Sequence, residues 1–84
     1  MKFSKKSLGS REHRELIALL VQKRRDAGLT QEDVAKQMRW PQSYISKIES
    51  GDRRLDVIEF IRIASVIGFD AGAIAQELQE LIEK

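Results

Sequence analysis

The sequence predicts an all-α protein, one compact domain built from five helices, and three observations carry that prediction. No segment alternates apolar and polar residues with a period of two, so no strand competes. Five stretches repeat apolar residues at three- and four-residue spacing, opened by Ser10, Thr30, Pro41, Asp56 and Asp70. Apolar residues make up 42% of only 84, enough for one core. There are no internal repeats or low-complexity tracts.

The first helix is expected from Ser10 to about Ala27, with Gly28 as the left-handed residue past its end and Ile17, Leu20 and Val21 facing inward. Thr30 and Asp33 form a capping box for a second helix from Gln31 to about Met38, buried through Val34, Ala35 and Met38. The residue before a proline is pushed out of the α region, so Trp40 lies in a turn and Pro41 suits the cap or first position of the next helix. That third helix runs from Gln42 to Glu49, buried through Ile45 and Ile48 and closed by Gly51. Two helices crossing steeply over so short a turn need a small residue at closest approach, and Ala35 supplies it.

Asp52 to Asp56 reads as a loop. Asp56 and Glu59 form a second capping box, opening a fourth helix whose Ile58, Ile61, Ala64 and Ile67 are read as one inward face, ended by Gly68. Asp70 caps a fifth helix with Ile74, Leu78, Leu81 and Ile82 along one stripe. Residues 1–9 are read as a flexible basic segment and 10–84 as the domain.

Composition excludes several classes. Without cysteine there is neither a disulfide nor a thiolate metal site, and a reducing cytoplasm is the expected location. No apolar run approaches the length of a membrane span. The sole histidine, His13, sits among charges at the start of the first helix and reads as surface; no catalytic constellation can be built around it, and no metal or cofactor is expected. The net charge of +2 conceals an asymmetry. From Met1 to Arg54 thirteen Lys or Arg stand against seven Asp or Glu, whereas from Leu55 to Lys84 two stand against six. The basic part holds the second and third helices, an arrangement that orients a domain on a polyanion.

The segment from Thr30 to Gly51 resembles the helix-turn-helix of the Xre family, the phage repressor and Cro type of DNA-binding domain. The likeness rests on Leu29-Thr30-Gln31, on Ala35, on Ile45-Ser46-Lys47-Ile48-Glu49 and on Gly51, and extends from about Arg14 to Ile74. It implies a lambda-repressor-like five-helix bundle with the second and third helices as the helix-turn-helix. Arg39 departs from the pattern: the family usually has glycine there, so either the turn is adjusted or a left-handed arginine is tolerated at about 1–2 kcal/mol.

Groove-facing residues lie opposite Ile45 and Ile48 and toward the start of the third helix, which selects Gln42, Ser43, Ser46 and Lys47 for base contacts, in agreement with the resemblance. For Ser43 and Ser46, helix capping or solvation is the competing role. Phosphate contacts are assigned to Arg53 and Arg54 in the loop, to Tyr44, Lys36 and Arg39, and, by resemblance, to Gln31. The resemblance also implies a structural pair of Arg24 with Glu49. Trp40 is read as a hydrophobic plug rather than a stacking platform for single strands.

Phe60, Leu78, Leu81 and Ile82 are candidates for a dimer interface, against the alternative that Phe60 and Leu78 complete the monomer core. The leading functional reading is a sequence-specific regulator of bacterial or phage type, acting as a repressor and binding double-stranded DNA as a homodimer on a palindromic operator, with no small-molecule effector. A restriction-modification controller is a variant of it. The alternative is an antitoxin-like protein that binds a partner polypeptide and autoregulates its operon; an enzyme is the third and weakest reading.

Overall fold

The computed structural model describes residues 10–84; the basic segment read over residues 1–9 lies outside them. Five helices are present among the described residues: α1 (Arg11–Asp26), α2 (Gln31–Met38), α3 (Gln42–Glu49), α4 (Val57–Ile67) and α5 (Ala71–Glu83). They enclose one core, with α2 against both α3 and α4, α1 against α3 and α5, and α4 against α5. The described residues span 36 × 24 × 19 Å.

Local chemistry sets the boundaries. Ser10 accepts from the His13 N–H at 3.0 Å. Thr30 with Asp33 and Asp56 with Glu59 close both predicted capping boxes, and Asp70 caps α5. At the other ends, α1 to α3 each finish in paired Schellman bonds, in which the residue after a left-handed position reaches back across the last turn, and α4 finishes with the Gly68 and Phe69 N–H groups both donating to the Ala64 carbonyl. After α2 these bonds are Trp40 N–H to the Ala35 carbonyl at 2.9 Å and Arg39 N–H to the Lys36 carbonyl at 3.2 Å.

That geometry resolves the question at Arg39. It takes the left-handed conformation, φ 60° and ψ 39°, where α1, α3 and α4 place Gly28, Gly51 and Gly68. It is the only non-glycine residue with positive φ among the described residues. The turn keeps its shape and the arginine carries the strain.

The core holds Ile17, Leu20, Val34, Ala35, Met38, Ile45, Ile48, Phe60, Ile63 and Ile74, with Val34 and Ile48 each 1% exposed. Val21, Leu78 and Leu81 are half-buried. Ala35 is buried in the α2–α3 crossing, where a larger side chain would separate the helices.

The reading of α4 requires correction. Its inward face is Phe60, Ile63 and Ala64, while Ile58 and Ile61 point outward at 64% and 48% exposure. The helix is apolar at nearly every position, so two overlapping stripes satisfy the same 3.6-residue period, and the partner surfaces choose between them. Phe60 takes the inner stripe because α5 and the α4–α5 connection meet it there; its ring lies 6.1 Å from that of Phe69. Phe60 is therefore packed in the core of the single chain, as the alternative reading had it, and Ile82, at 64% exposure, lies off the buried stripe of α5. His13 is also corrected: it is half-buried, and its Nε2 is shut away without a hydrogen-bond partner among the described residues.

Arg39→Gly relieves a left-handed arginine but adds unfolded-chain entropy, so the net expectation is a stabilisation of about 0.5–1 kcal/mol, a few degrees in Tm. Thermal unfolding followed by circular dichroism checks it, and a lowered Tm would remove the strain argument.

Candidate nucleic-acid interface

The exposed side of α3 follows from its buried side. With Ile45 and Ile48 in the core, Gln42, Ser43, Ser46 and Lys47 are all solvent-exposed. Tyr44 is 39% exposed on the flank. Among the described helices, α3 alone begins without a side-chain cap, because its N-cap is Pro41, which carries no acceptor. Tyr44 N–H donates to the Pro41 carbonyl at 3.0 Å, while the amides of Gln42 and Ser43 before it have no side-chain cap, and such amides suit an anion or a base acceptor.

Orientation of α3 is controlled at its far end. Arg24 Nε donates to Glu49 Oε2 at 2.7 Å and Arg24 Nη2 to Glu49 Oε1 at 2.9 Å, a bidentate pair whose side chains are only 10% and 11% exposed. Arg24 Nη1 donates to the Leu29 carbonyl at 2.8 Å, and the Gln31 amide donates to Glu49 Oε1 at 3.0 Å. One ion pair thus joins α1, the α1–α2 connection, the start of α2 and the end of α3: Arg24 holds the Leu29 carbonyl and Glu49 holds Gln31. The hydrogen bond to Glu49 raises the pKa of Arg24 against the opposing effect of burial. Gln31 therefore has its amide nitrogen engaged inside the protein.

At the near end, aromatic and cationic groups interleave. Trp40 is half-buried against the core and meets Tyr44 edge-on, ring centres 5.3 Å apart. Arg53 lies 4.1 Å over the Tyr44 ring and 5.9 Å from that of Trp40, and Arg62 lies 6.0 Å over Trp40. Trp40 acts as the plug between helices and also as one rung of this stack. Arg53 pairs with Glu59, Nη2 to Oε2 at 2.8 Å. Lys36, Arg39 and Arg54 are exposed.

Sequence reasoning missed Arg62 and the second role of Glu59. Arg53 and Glu59 are six residues apart across a loop, a separation that matches no helical contact rule, so nothing in the sequence flagged the pair. Arg62 reaches Trp40 only through tertiary packing.

A family model described as helix-turn-helix matches residues 20–74, which takes in α2, α3 and α4 whole. An XRE-family like protein from Pseudomonas syringae pv. tomato str. DC3000 superposes with a TM-score of 0.84 at 36% identity, covering 95% of this chain and 98% of that one. The chain belongs to the Xre family of helix-turn-helix proteins. The wild-type restriction-modification controller protein C.Esp1396I is similar at a TM-score of 0.75 and 25% identity, over 89% of this chain and 99% of that one. A point mutant of that controller gives a TM-score of 0.74 at 24% identity, over 89% and 95%, a likeness of fold. No curated protein matches the chain. As an Xre-family protein it is a DNA-binding regulator rather than an enzyme. Among the described residues no helix is long and apolar enough to cross a membrane.

Two outcomes follow for the pairs that frame α3. Arg24→Met leaves Glu49 buried without its cation and should cost about 3 kcal/mol, whereas adding Glu49→Leu should restore much of it. Urea unfolding of both variants tests this; equal losses would mean that packing, and not the unpaired charge, sets the cost.

The carboxyl of Glu59 titrates below its ordinary 4.5, chiefly through its hydrogen bond from Arg53, and Asp33 is lowered by the Thr30 backbone. A depressed folded pKa contributes stability that is complete above the ordinary value and lost as pH falls through the folded one. Glu59→Gln should therefore lose less stability than wild type between pH 7 and pH 3, measured by denaturant midpoints at each pH.

Proposed function

We propose that this protein is a repressor that binds a short palindromic operator as a homodimer, inserting α3 in the major groove of double-stranded DNA. The observation that carries the reading is the uncapped start of α3 with Gln42, Ser43, Ser46 and Lys47 exposed opposite the buried Ile45 and Ile48. Gln42 pairs through both ends of its amide with the N6/N7 edge of adenine, Lys47 donates to guanine O6 or N7, and the two serines serve a base or a phosphate. Around them, Lys36, Arg39, Tyr44 and Arg54 meet the phosphates, with Gln31 at the start of α2 contributing its backbone N–H, since its side-chain amide is held by Glu49. A dimer bound there blocks the DNA to other proteins, and its activity is set by concentration.

Self-association uses the outer stripe of α4. Val57, Ile58 and Ile61 are 66%, 64% and 48% exposed, and Ile82 of α5 is 64% exposed. Large apolar side chains left in water mark an association surface, and a two-fold pairing over it sets two copies of α3 about 34–36 Å apart, one turn of DNA. Leu78 and Leu81, half-buried, border the same end of the molecule as Ile82. The likeness to a restriction-modification controller makes a regulator of that kind a form of the same proposal.

Selection of sites from random duplex DNA by the purified protein, at near-physiological salt, tests the reading. An enriched palindrome with half-sites one turn apart supports it; absence of enrichment transfers the exposed α4 stripe to a different polypeptide, as in an antitoxin. On the selected site, Lys47→Ala should weaken binding by about 1–3 kcal/mol and relax preference at one base pair. Ile58→Asp should yield a folded monomer in sedimentation velocity, with cooperative binding to the full site lost.

A further inference from the structure

Arg53 has the position in sequence of a phosphate contact and the surroundings of something else. Its Nη1 donates to Glu59 Oε1 at 3.2 Å and to the Arg54 carbonyl at 3.0 Å, and its Nη2 donates to Glu59 Oε2 at 2.8 Å. One flat face lies over Tyr44 at 4.1 Å. Glu59 is fixed in turn, since its Oε1 accepts from the Asp56 N–H at 3.1 Å and its own N–H donates to Asp56 Oδ1 at 2.8 Å. The carboxylate that holds Arg53 is therefore part of the capped first turn of α4, while the ring under Arg53 belongs to α3, between Ser43 and Ser46.

We propose that Arg53 is a positioning residue for base readout: anchored by Glu59 at the head of α4, its guanidinium clamps the Tyr44 ring and fixes the rotation of α3 about its own axis, and it takes no phosphate. The proposal rests on the reading of α3 as the base-contacting helix. Its logic is geometric. Glu49 and Arg24 hold the C-terminal end of α3, whereas the N-terminal end, where Gln42 and Ser43 stand, has no side-chain cap. The Arg53–Tyr44 stack adds a side-chain attachment at that end, next to the buried Ile45, and with it α3 is held at both ends. Arginine suits the task because its planar group pairs with a carboxylate edge-on while presenting a face to an aromatic ring; lysine does only one of these at a time.

The opposite account makes Glu59 a guard that surrenders Arg53 to a phosphate when DNA arrives. The two accounts differ in salt dependence, because each phosphate neutralised adds about 0.9 to the slope of log K against log salt. The experiment measures that slope for wild type, Arg53→Ala and Glu59→Gln on the selected site and on a single-mismatch site. Amide hydrogen exchange of the three free proteins accompanies it. Glu59→Gln keeps an acceptor for the Asp56 N–H, so α4 stays capped.

The expected result is an unchanged slope in both variants, a specific-to-mismatch affinity ratio falling from roughly tenfold or more toward unity, and faster exchange of the Tyr44, Ile45 and Ser46 amides. A slope lower by about 0.9 in Arg53→Ala with the ratio intact overturns the proposal. So does tighter, steeper binding to every sequence by Glu59→Gln. If wild type prefers no sequence, the operator-binding reading fails on its own, and the exchange rates still decide: wild-type protection at the three amides in both variants overturns the positioning role.

Discussion

Arg24 reaches from α1 to the end of α3 and meets Glu49 where little water penetrates, and the placement of the exposed side chains of α3 depends on that meeting. Removing two charges from water is costly, and such a pair holds only if its remaining hydrogen-bonding capacity is also used. Here it is: Arg24 adds the Leu29 carbonyl, and Glu49 adds the Gln31 amide. An apolar contact at this point would tolerate sliding and rotation. A bidentate ion pair resists both, so it fixes direction as well as distance at the C-terminal end of α3.

The same demand for direction explains the turn between α2 and α3. The Schellman bonds to Ala35 and Lys36 require a left-handed residue, and Arg39 occupies that conformation although glycine would do so without strain. The tight turn brings Trp40 back onto the core and delivers Pro41 as the cap of α3. Proline leaves α3 without a side-chain cap, which is unfavourable for an isolated helix and suitable for one that meets a polyanion with its first turn. Arg39 and Pro41 each carry a local cost, and burial of Ile45, Ile48, Val34 and Met38 outweighs both.

On α4 the physical constraint is an excess of apolar residues. Only one stripe of a helix can face a core of this size, and Val57, Ile58 and Ile61 are left in water. Periodicity found the helix and its capping box but not the stripe, because Ile58, Ile61 and Ala64 fit the period as well as Phe60, Ile63 and Ala64 do. The choice belongs to Phe69, which meets Phe60, and to α2, α3 and α5, whose surfaces the helix covers. His13 shows the same limit: its charged neighbours in sequence suggested water, whereas the packing of α1 buries its Nε2.

The sequence by itself determined what depends on neighbours within about one helical turn. Thr30 with Asp33, Asp56 with Glu59, the positive-φ glycines and the proline after Trp40 are local devices, each readable from a few residues, and together they place all five helices. With Ala35, Ile45 and Ile48 they also identify the helix-turn-helix and hence the exposed side of α3. Tertiary structure alone decided the relations between residues that chain distance does not link: the inner stripe of α4, the burial of Phe60, and the stack of Arg53 on Tyr44 against Glu59. Those depend on which surfaces meet. A local pattern offers several faces of similar energy, and only the closed core selects among them.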